Sequence, residues 1–360
     1  MDIVLDGLLL FLNNGQIGDY SRSIVDNLIK YTTLKLSIIK DYEIDSSAYK
    51  NCSIELLLNR KLNDYSNLSN YLNYKKNSIY HCLNNGFSIP KNFEYNYIIN
   101  INNLLPIICE NLCPINYVSN FFNKVPYGVL KSSYIITPSI TTKQNFLKSF
   151  SLNSDKVFIN YGVISSFYNK TDRFLSSVYI KSKFNIEGKF IVFCGDFHPR
   201  KNLDKAIILF KNLKRYISDL KFLILSFKFE DINYLDKLNR LSNKLNICND
   251  VVFLDNISVV DKVNIFSNAL FFLDLSTYED VNIGIVEAFN CKTPIVCSNI
   301  SLYKEYFGDL VFYYKENIDP LTIIDFACNY SYNESDFVLN KFDKNLNLNT
   351  LINIYKSLEL

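Results

Sequence analysis

Residues 276–294 read STYEDVNIGIVEAFNCKTP. A mostly apolar run, 270–275, comes before this stretch, and a second apolar run, 295–297, follows it. Short apolar runs of this kind are typical of buried strands. The stretch therefore predicts a strand, a loop, a short helix over residues 283–290 and a second strand.

The stretch also carries two carboxylates, Glu279 and Glu287, eight positions apart around Gly284. In an open α/β sheet, ligands bind where strands end and helices begin, because loop carboxylates and helix amides converge there. Carboxylates accept charge-assisted hydrogen bonds from hydroxyls. The pair therefore suits a polyhydroxyl ligand that also carries phosphate. The alternative interpretation is two solvated glutamates at a helix end.

The length and net charge of the chain limit its number of domains and the kind of partner that it can bind. The 360 residues suit two domains of about 150 to 200 residues each, and the 48% of apolar residues can fill both cores. The formal net charge is only +2, without a dense run of Lys and Arg. We therefore expect a small-molecule partner and no nucleic acid.

Nine irregularly spaced cysteines predict reduced, mostly buried thiols of a cytoplasmic protein. Cys109 and Cys113 lack the second pair or the histidines of a zinc site, so no metal is expected. The N-terminal residues lack a basic secretory leader, and no uncharged apolar run is long enough to span a bilayer. These features predict a soluble protein that can still touch a membrane.

In the first half, residues 3–12 are predicted to form the buried first strand of a parallel sheet. Gly15 and Gly18 follow, and they predict a tight loop that opens a helix at about Tyr20. Such a loop can bind phosphate, and the alternative is an ordinary turn. Further strands are predicted over 34–40, 79–83 and 97–101.

In the second half, residues 190–194 predict a buried strand, and apolar side chains from Leu203 onward fall on one helix face. Arg200 and Lys201 lie at the start of that helix. Cations there oppose the helix dipole, and a bound anion removes the conflict. The alternative is a solvated basic pair.

The stretch 276–294 resembles the Glu-x7-Glu signature of retaining glycosyltransferases of family 4 (glycosyl transferases group 1), and the similarity continues through residue 309. The resemblance implies an α/β fold, GT-B, with two Rossmann-like domains facing across a cleft. It also implies transfer of a hexose, with mannose as one candidate, from a nucleotide diphosphate sugar to a glycan hydroxyl. The anomeric configuration would be retained, without a metal or another cofactor.

The resemblance assigns roles to the candidate residues. Arg200 and Lys201, in a run similar to Gly-x-x-x-Pro-Arg-Lys-Asn, would bind the donor diphosphate. Glu279 would hold the hydroxyls of the transferred sugar, and Glu287 the ribose. The other donor-binding candidates are Gly195, Asn282, Ile283, Gly284, Gly15 and Gly18.

Two positions depart from the family pattern. Asn102, in YIININNLLP, stands where relatives carry a histidine that helps to position the donor sugar, and Asn cannot carry a proton near neutral pH. We keep Asn102 as a catalytic candidate. His81 is an alternative histidine for the cleft, or else a buried structural one. Asp196 stands where some relatives carry arginine, so Arg200 and Lys201 must supply the positive charge.

The predicted domains are an acceptor-side domain over 1–167, a linker over 168–183 and a nucleotide-sugar-binding domain over 184–344. Apolar periodicity lapses in the linker and resumes at Phe190. By resemblance, a closing helix over 345–360 packs back onto the first domain.

The resemblance further suggests bacterial surface polysaccharide synthesis (O-antigen or capsule), with a lipid-linked oligosaccharide acceptor at the cytoplasmic face of the inner membrane. One alternative is a non-catalytic nucleotide-sugar binder or assembly partner with the same fold. Asn102 and Asn103 support it, as do Asp280, Asn282 and Lys292, where relatives commonly carry glycine. A dinucleotide-dependent oxidoreductase is a weaker alternative, because no Gly-x-Gly-x-x-Gly follows a predicted strand.

Overall fold

The computed structural model divides into two compact units. Unit 1 comprises Met1–Val163 and Asn340–Leu360, and unit 2 comprises Ile164–Leu339. The structure describes residues 2–12, 15–32, 34–40, 49, 52–56, 66–75, 77–90, 96–226, 232–332 and 336–358.

Unit 1 is built on a parallel sheet. Among the described residues its strands are β1 (Asp2–Asp6), β2 (Lys35–Lys40), β3 (Ser53–Leu56), β4 (Ser78–Cys82), β5 (Tyr97–Asn100), β6 (Tyr134–Thr137) and β7 (Val157–Ile159). Their spatial order is β3-β2-β1-β4-β5-β6-β7, and Val4 of β1 lies between Ser37 of β2 and Tyr80 of β4. Ile3, Val4 and Leu5 are fully buried, as expected of a central parallel strand covered on both faces.

Unit 2 is built on a second parallel sheet. Its described strands are β8 (Phe190–Cys194), β9 (Lys221–Leu225), β10 (Val251–Leu254), β11 (Phe272–Asp274), β12 (Ile295–Ser298) and β13 (Phe312–Tyr314). Their order is β10-β9-β8-β11-β12-β13, and all five residues of β8 are buried. The chain runs outward from β8 to β10 and then returns to β11, so the strand order reverses between β8 and β11.

Helices connect the strands in both units. They are α1 (Leu8–Leu12), α2 (Gln16–Tyr31), α3 (Ser66–Tyr74), α4 (Leu105–Ile108), α5 (Ile115–Lys131), α6 (Ile140–Phe150), α7 (Arg173–Phe184), α8 (Leu203–Leu213), α9 (Ile232–Lys244), α10 (Val259–Asn268), α11 (Ile283–Asn290), α12 (Ser301–Phe307), α13 (Pro320–Asn329), α14 (Asp336–Leu339) and α15 (Lys344–Ser357). Within the described ranges, none of these helices is long and apolar enough to cross a bilayer.

The predicted first strand and glycine loop differ from the structure. Strand β1 ends at Asp6, and the leucine-rich residues after Gly7 form α1 because leucine favours helix. Helix α2 begins at Gln16 rather than near Tyr20. Gly15 therefore precedes the helix with a φ of −86°, and Gly18 lies buried inside the first turn of α2. The prediction of a loop shaped by both glycines is wrong, since neither adopts a conformation that only glycine favours.

Most of the segment 168–183, which was predicted as a linker, is helix α7 of unit 2. Asp172 caps the start of α7 by accepting a hydrogen bond from the Leu175 amide. The helix turns only a narrow face inward, with Ser176 and Ile180 buried while Phe174 is exposed. Its apolar residues therefore do not follow the usual amphipathic spacing, and the sequence pattern conceals the helix.

The closing helix α15 belongs to unit 1. Its buried face includes Leu348, Leu351 and Tyr355. The Asn27 side-chain amide of α2 donates to the carbonyl of Lys344 at 2.9 Å. In the same way, the Asn160 amide donates to the carbonyl of Asn347 at 2.9 Å. The C-terminal helix α15 therefore completes the fold of unit 1.

Candidate functional site

The candidate site lies where the strand order of unit 2 reverses. In open α/β sheets, ligands bind at such a point, beyond the carboxyl ends of the strands. The loop after β8 contains Gly195 and a single turn of 3-10 helix, Pro199–Lys201. The loop after β11 carries Glu279. The Thr277 amide donates to the carbonyl of Arg200 at 2.9 Å, which ties the two loops together.

Four charged side chains from these loops form one ionic cluster. The Glu279 carboxylate lies 2.6 Å from Lys201 Nζ and also accepts a hydrogen bond from Arg200 Nη1. Asp196 Oδ2 accepts a hydrogen bond from Arg200 Nη2 at 2.5 Å, and its Oδ1 lies 3.2 Å from Lys201 Nζ. The two cations and the two carboxylates therefore balance in formal charge. We call these four residues, Asp196, Arg200, Lys201 and Glu279, the ionic cluster.

Burial makes the ionic cluster strongly coupled. The Lys201 side chain is fully buried and lies over the Phe193 ring, with Nζ 5.8 Å from the ring centroid. Burial opposes the charge on Lys201, but Glu279 and Asp196 outweigh it and raise the pKa of Lys201 above its usual value. Burial likewise raises the pKa of Glu279, and Arg200 and Lys201 offset part of that rise. For Asp196, the same two cations overcome the effect of burial and hold its pKa below the usual range.

Glu287, on helix α11, lies in a second ion pair. Its Oε2 accepts a hydrogen bond from Lys262 Nζ of α10 at 3.1 Å, and both side chains are largely buried. Burial together with the Glu287 carboxylate raises the pKa of Tyr168. Lys262 also lies over the Tyr168 ring at 6.0 Å. These partners hold the Glu287 carboxylate in one orientation.

Sequence reasoning missed both partners of Glu287. Lys262 shares a face of α10 with Ile265 and Phe266, three and four positions on, and both are fully buried. A lysine on a buried apolar face was the signal that could have identified it. Tyr168 lies in the segment predicted as a linker, so the sequence offered no such signal.

The start of α11 is fixed by Asn282 and Gly284. Asn282 accepts a hydrogen bond from the Ile285 amide at 3.3 Å, and its own amide donates to Asp274 and to the Tyr303 hydroxyl. Asn282 is fully buried, so its side chain positions the helix. A Cβ on Gly284 would lie 3.2 Å from the carbonyl oxygen of Cys194. Glycine therefore lets the first turn of α11, whose amides include that of Ile283, approach the end of β8.

The other predicted site residues lie in unit 1. Asn102 is fully buried, and its side-chain amide donates to the carbonyl of Leu83 at 2.8 Å. No residue that the structure describes hydrogen-bonds to Asn102 Oδ1. Gly15 and Gly18 lie at the start of α2. These three residues belong to unit 1, whereas the ionic cluster belongs to unit 2.

His81 has a structural environment. Its Nδ1 lies 2.7 Å from the Tyr355 hydroxyl of α15, and its Nε2 lies 2.8 Å from Asn100 Oδ1. The ring is fully buried, and burial lowers its pKa to about 4. Both ring nitrogens are thus used inside unit 1, which agrees with the interpretation of a buried structural histidine. Among the described residues, no group of three or more His, Cys, Asp or Glu side chains could hold a metal ion.

The geometry defines an α/β protein with a charge-balanced ionic cluster where the strand order of its second sheet reverses, and a family model matches part of the chain. Residues 179–324 match the family model described as Glycosyl transferases group 1. The matched region covers less than half of the chain, and it is similar to the family that the sequence resembles.

A curated relative and several solved structures are similar to the chain. It is 24% identical over 205 residues to the O-antigen chain mannosyltransferase RfbU of Salmonella typhimurium, an alignment that covers 55% of this chain and 53% of that protein. The match thus spans about half the length of the curated relative.

Two solved structures agree with the fold over nearly the full length. Anabaena HepE in complex with UDP-glucose has a TM-score of 0.75 at 13% identity, with 99% of this chain and 100% of that chain covered. WaaG, a glycosyltransferase involved in lipopolysaccharide biosynthesis, has a TM-score of 0.67 at 12% identity, with 100% and 98% covered. These similarities confirm the predicted GT-B fold.

Proposed function

We propose that this protein is a retaining glycosyltransferase that moves a hexose from a nucleotide diphosphate sugar to a hydroxyl of a glycan acceptor. The observation that carries the proposal is the ionic cluster. Two cations, Arg200 and Lys201, lie beside Glu279 in a largely buried crevice at the point where α/β proteins bind nucleotides.

The cations supply the chemistry that the leaving group needs. Negative charge grows on the diphosphate as the bond to the sugar breaks, so Arg200 and Lys201 stabilise the transition state more than the ground state. The first amides of α11, at Ile283 and Gly284, and the backbone at Gly195 extend this anion site. Because these groups donate hydrogen bonds to the leaving diphosphate, the proposed reaction needs no metal and no cofactor.

The two glutamates would position the donor. Glu279 is held between both cations and would accept hydrogen bonds from the hydroxyls of the transferred sugar. Glu287, oriented by Lys262 and Tyr168, would accept hydrogen bonds from the ribose. Both act as positioning groups, unlike the acid and nucleophile of a glycoside hydrolase.

Residues of unit 1 would serve the acceptor side. Asn102 Oδ1 is a buried acceptor atom without a hydrogen-bonding partner among the described residues, which supports a role toward a sugar hydroxyl. The backbone around Gly15 and Gly18 would lie near the donor diphosphate as well as the acceptor. The name of the relative RfbU supports mannose as the sugar, and O-antigen or another surface polysaccharide as the product. A lipid-linked acceptor would bring the protein to the cytoplasmic face of the inner membrane.

The proposal is tested by donor turnover. The purified protein is incubated with UDP-, GDP- and dTDP-sugars, with and without a polyprenyl-linked glycan, and release of the nucleoside diphosphate is measured. We expect release with one donor class, and the product anomer seen by NMR should match that of the donor. Replacing Glu279 with Gln should lower the rate by at least about a hundredfold, since it removes a charge aligned with the reacting sugar.

The matched control is Glu316→Gln. Glu316 pairs with Lys205 at 2.6 Å, but both side chains are exposed, so this variant should keep the wild-type rate. Binding of a nucleotide sugar without release of nucleoside diphosphate would instead support the non-catalytic binder.

A further inference from the structure

Asp196 is the most accessible member of the ionic cluster. Its side chain is 35% exposed, whereas that of Arg200 is 11% exposed and that of Glu279 only 2%. Asp196 contacts both cations through its two carboxylate oxygens, at 2.5 Å from Arg200 Nη2 and 3.2 Å from Lys201 Nζ. Both carboxylates thus bridge the two cations, and Asp196 is the one whose side chain is partly exposed.

This arrangement places a carboxylate where an incoming phosphate would bind. A phosphate that approaches from solvent needs the same donors, Arg200 Nη2 and Lys201 Nζ, that Asp196 already occupies. Two anions on the same donors repel each other, and like charges brought together at a binding site are unfavourable. Glu279 cannot yield its place, because it is buried and held by both cations. Asp196 can, because its side chain reaches solvent and follows Gly195 at the end of β8.

We propose that Asp196 is an internal counter-ion that competes with the donor diphosphate for Arg200 and Lys201. The inference rests on the proposed function, since it takes the diphosphate of a sugar nucleotide as the ligand. Without donor, Asp196 keeps the two cations ionised and oriented. When the diphosphate binds, Asp196 rotates toward solvent, and its return weakens the hold on the nucleoside diphosphate product.

Removing the charge of Asp196 should therefore improve binding of the diphosphate. Asp196→Asn keeps the shape of the side chain but removes its charge, so the cluster gains a net positive charge. Binding of pyrophosphate and nucleoside diphosphates should tighten by about tenfold, the scale of one charge-assisted hydrogen bond no longer contested. Binding should also become more sensitive to salt, because an uncompensated charge is screened by added ions.

The experiment is calorimetric titration of the full-length protein with inorganic pyrophosphate, UDP, GDP and dTDP at two salt concentrations. Asp196→Glu is the conservative variant, because it keeps the competing charge and should bind like the wild type. Asp204→Asn removes the same charge from the first turn of α8, where the carboxylate lies 3.5 Å from Lys237 instead. It should change affinity by no more than about twofold. Asp196→Ser provides a second neutral variant, and thermal melting checks that each variant is folded.

The outcomes separate this inference from the proposed function. Tighter binding in both neutral variants, and in neither control, supports the counter-ion role. Unchanged or weaker binding in Asp196→Asn and Asp196→Ser, with nucleotide bound normally by the wild type, overturns the inference and leaves the proposed function standing. If neither the wild type nor any variant binds pyrophosphate or a nucleoside diphosphate, both fail together. As a kinetic readout, product inhibition by the nucleoside diphosphate should strengthen in the neutral variants.

Discussion

At the scale of single residues, two buried lysines of unit 2 are each paired with carboxylates. Lys201 is fully buried but lies between two carboxylates, and Lys262 is paired with Glu287. Removing one partner from such a pair leaves a buried charge without compensation, which is far more costly than losing an exposed pair. The substitutions that best test these sites are therefore isosteric, such as Glu to Gln and Asp to Asn.

His81 gives a prediction for the pH dependence of stability. Its pKa in the folded chain is about 4, below the ordinary value of 6.5, because burial disfavours the charged ring. The unfolded chain therefore binds the proton more readily. The contribution of the neutral His81 ring to the free energy of unfolding is complete above pH 6.5 and is lost as the pH falls toward 4. Between pH 7 and pH 5 this one group should cost about 2 kcal/mol of unfolding free energy.

The measurement is urea unfolding of the wild type and of His81→Gln at both pH values. The variant should be less stable at pH 7 but should lose about 2 kcal/mol less on going to pH 5. Tyr355→Phe removes a hydrogen bond to the same ring while keeping the histidine, so its pH dependence should stay like that of the wild type. Equal losses in wild type and His81→Gln would contradict the assignment.

At the scale of elements, the sequence predicted the strands and the helix around the carboxylate stretch well. Strand β8 and helix α11 have the predicted bounds, because short apolar runs in a parallel sheet are flanked by clear polar loops. Strand β3 and helix α7 were missed. A helix can be predicted from its sequence when it buries a continuous apolar face. Helix α7 does not, because its buried residues are Ser176 and Ile180.

The candidate functional site could likewise be predicted only in part from the sequence. The sequence indicated Glu279, Arg200 and Lys201 from residue type and position, and the fold of unit 2 brings these three together. It could not indicate that Asp196 bridges the two cations, because that contact depends on the path of the loop after β8. Nor did it find Lys262, whose partner lies on a different helix.

Helix α11 gives a prediction about close packing. Gly284→Ala should place a methyl group 3.2 Å from the carbonyl oxygen of Cys194, so the helix start must move by a few tenths of an ångström. Alanine favours helix over glycine by up to about 1 kcal/mol, so it offsets part of the unfolding free energy that the strain removes. The displaced amides should still bind pyrophosphate several-fold more weakly. Calorimetric titration together with urea unfolding would separate the two effects.

The control for this prediction is Gly128→Ala in helix α5 of unit 1. A Cβ there would also lie 3.2 Å from its nearest neighbour, the Cδ1 of Ile99. The two substitutions therefore match in chemistry and in the nearest distance, but the neighbour is a backbone oxygen at Gly284 and a side-chain carbon at Gly128. Gly128 does not belong to the proposed anion site. Equal affinity for pyrophosphate in wild type and Gly284→Ala would show that the approach of α11 to β8 does not matter for binding.

At the scale of the whole molecule, the chain leaves unit 1 at Val163, builds all of unit 2 and returns at Asn340. Gly162, just before the exit, has a φ of +80°, and a Cβ there would lie 2.7 Å from Ser23 Oγ. The first predicted domain, 1–167, ends a few residues after this exit. Contacts between residues far apart in the sequence, such as that of His81 with Tyr355, cannot be predicted from a local sequence pattern.

The return of the chain gives the last prediction, that α15 is part of the core of unit 1. Leu351 is 1% exposed, whereas Leu346 on the same helix is 55% exposed. Leu351→Ala should lower the unfolding free energy of unit 1 by about 2 to 5 kcal/mol, since it empties a buried site, and Leu346→Ala should change it by less than about 0.5 kcal/mol. Hydrogen exchange at the amides of β1 and β4 reports on unit 1 directly. Faster exchange in Leu351→Ala alone would agree with α15 as a core element of unit 1. Similar exchange in both variants would mean that the helix only rests on a sheet that is stable without it.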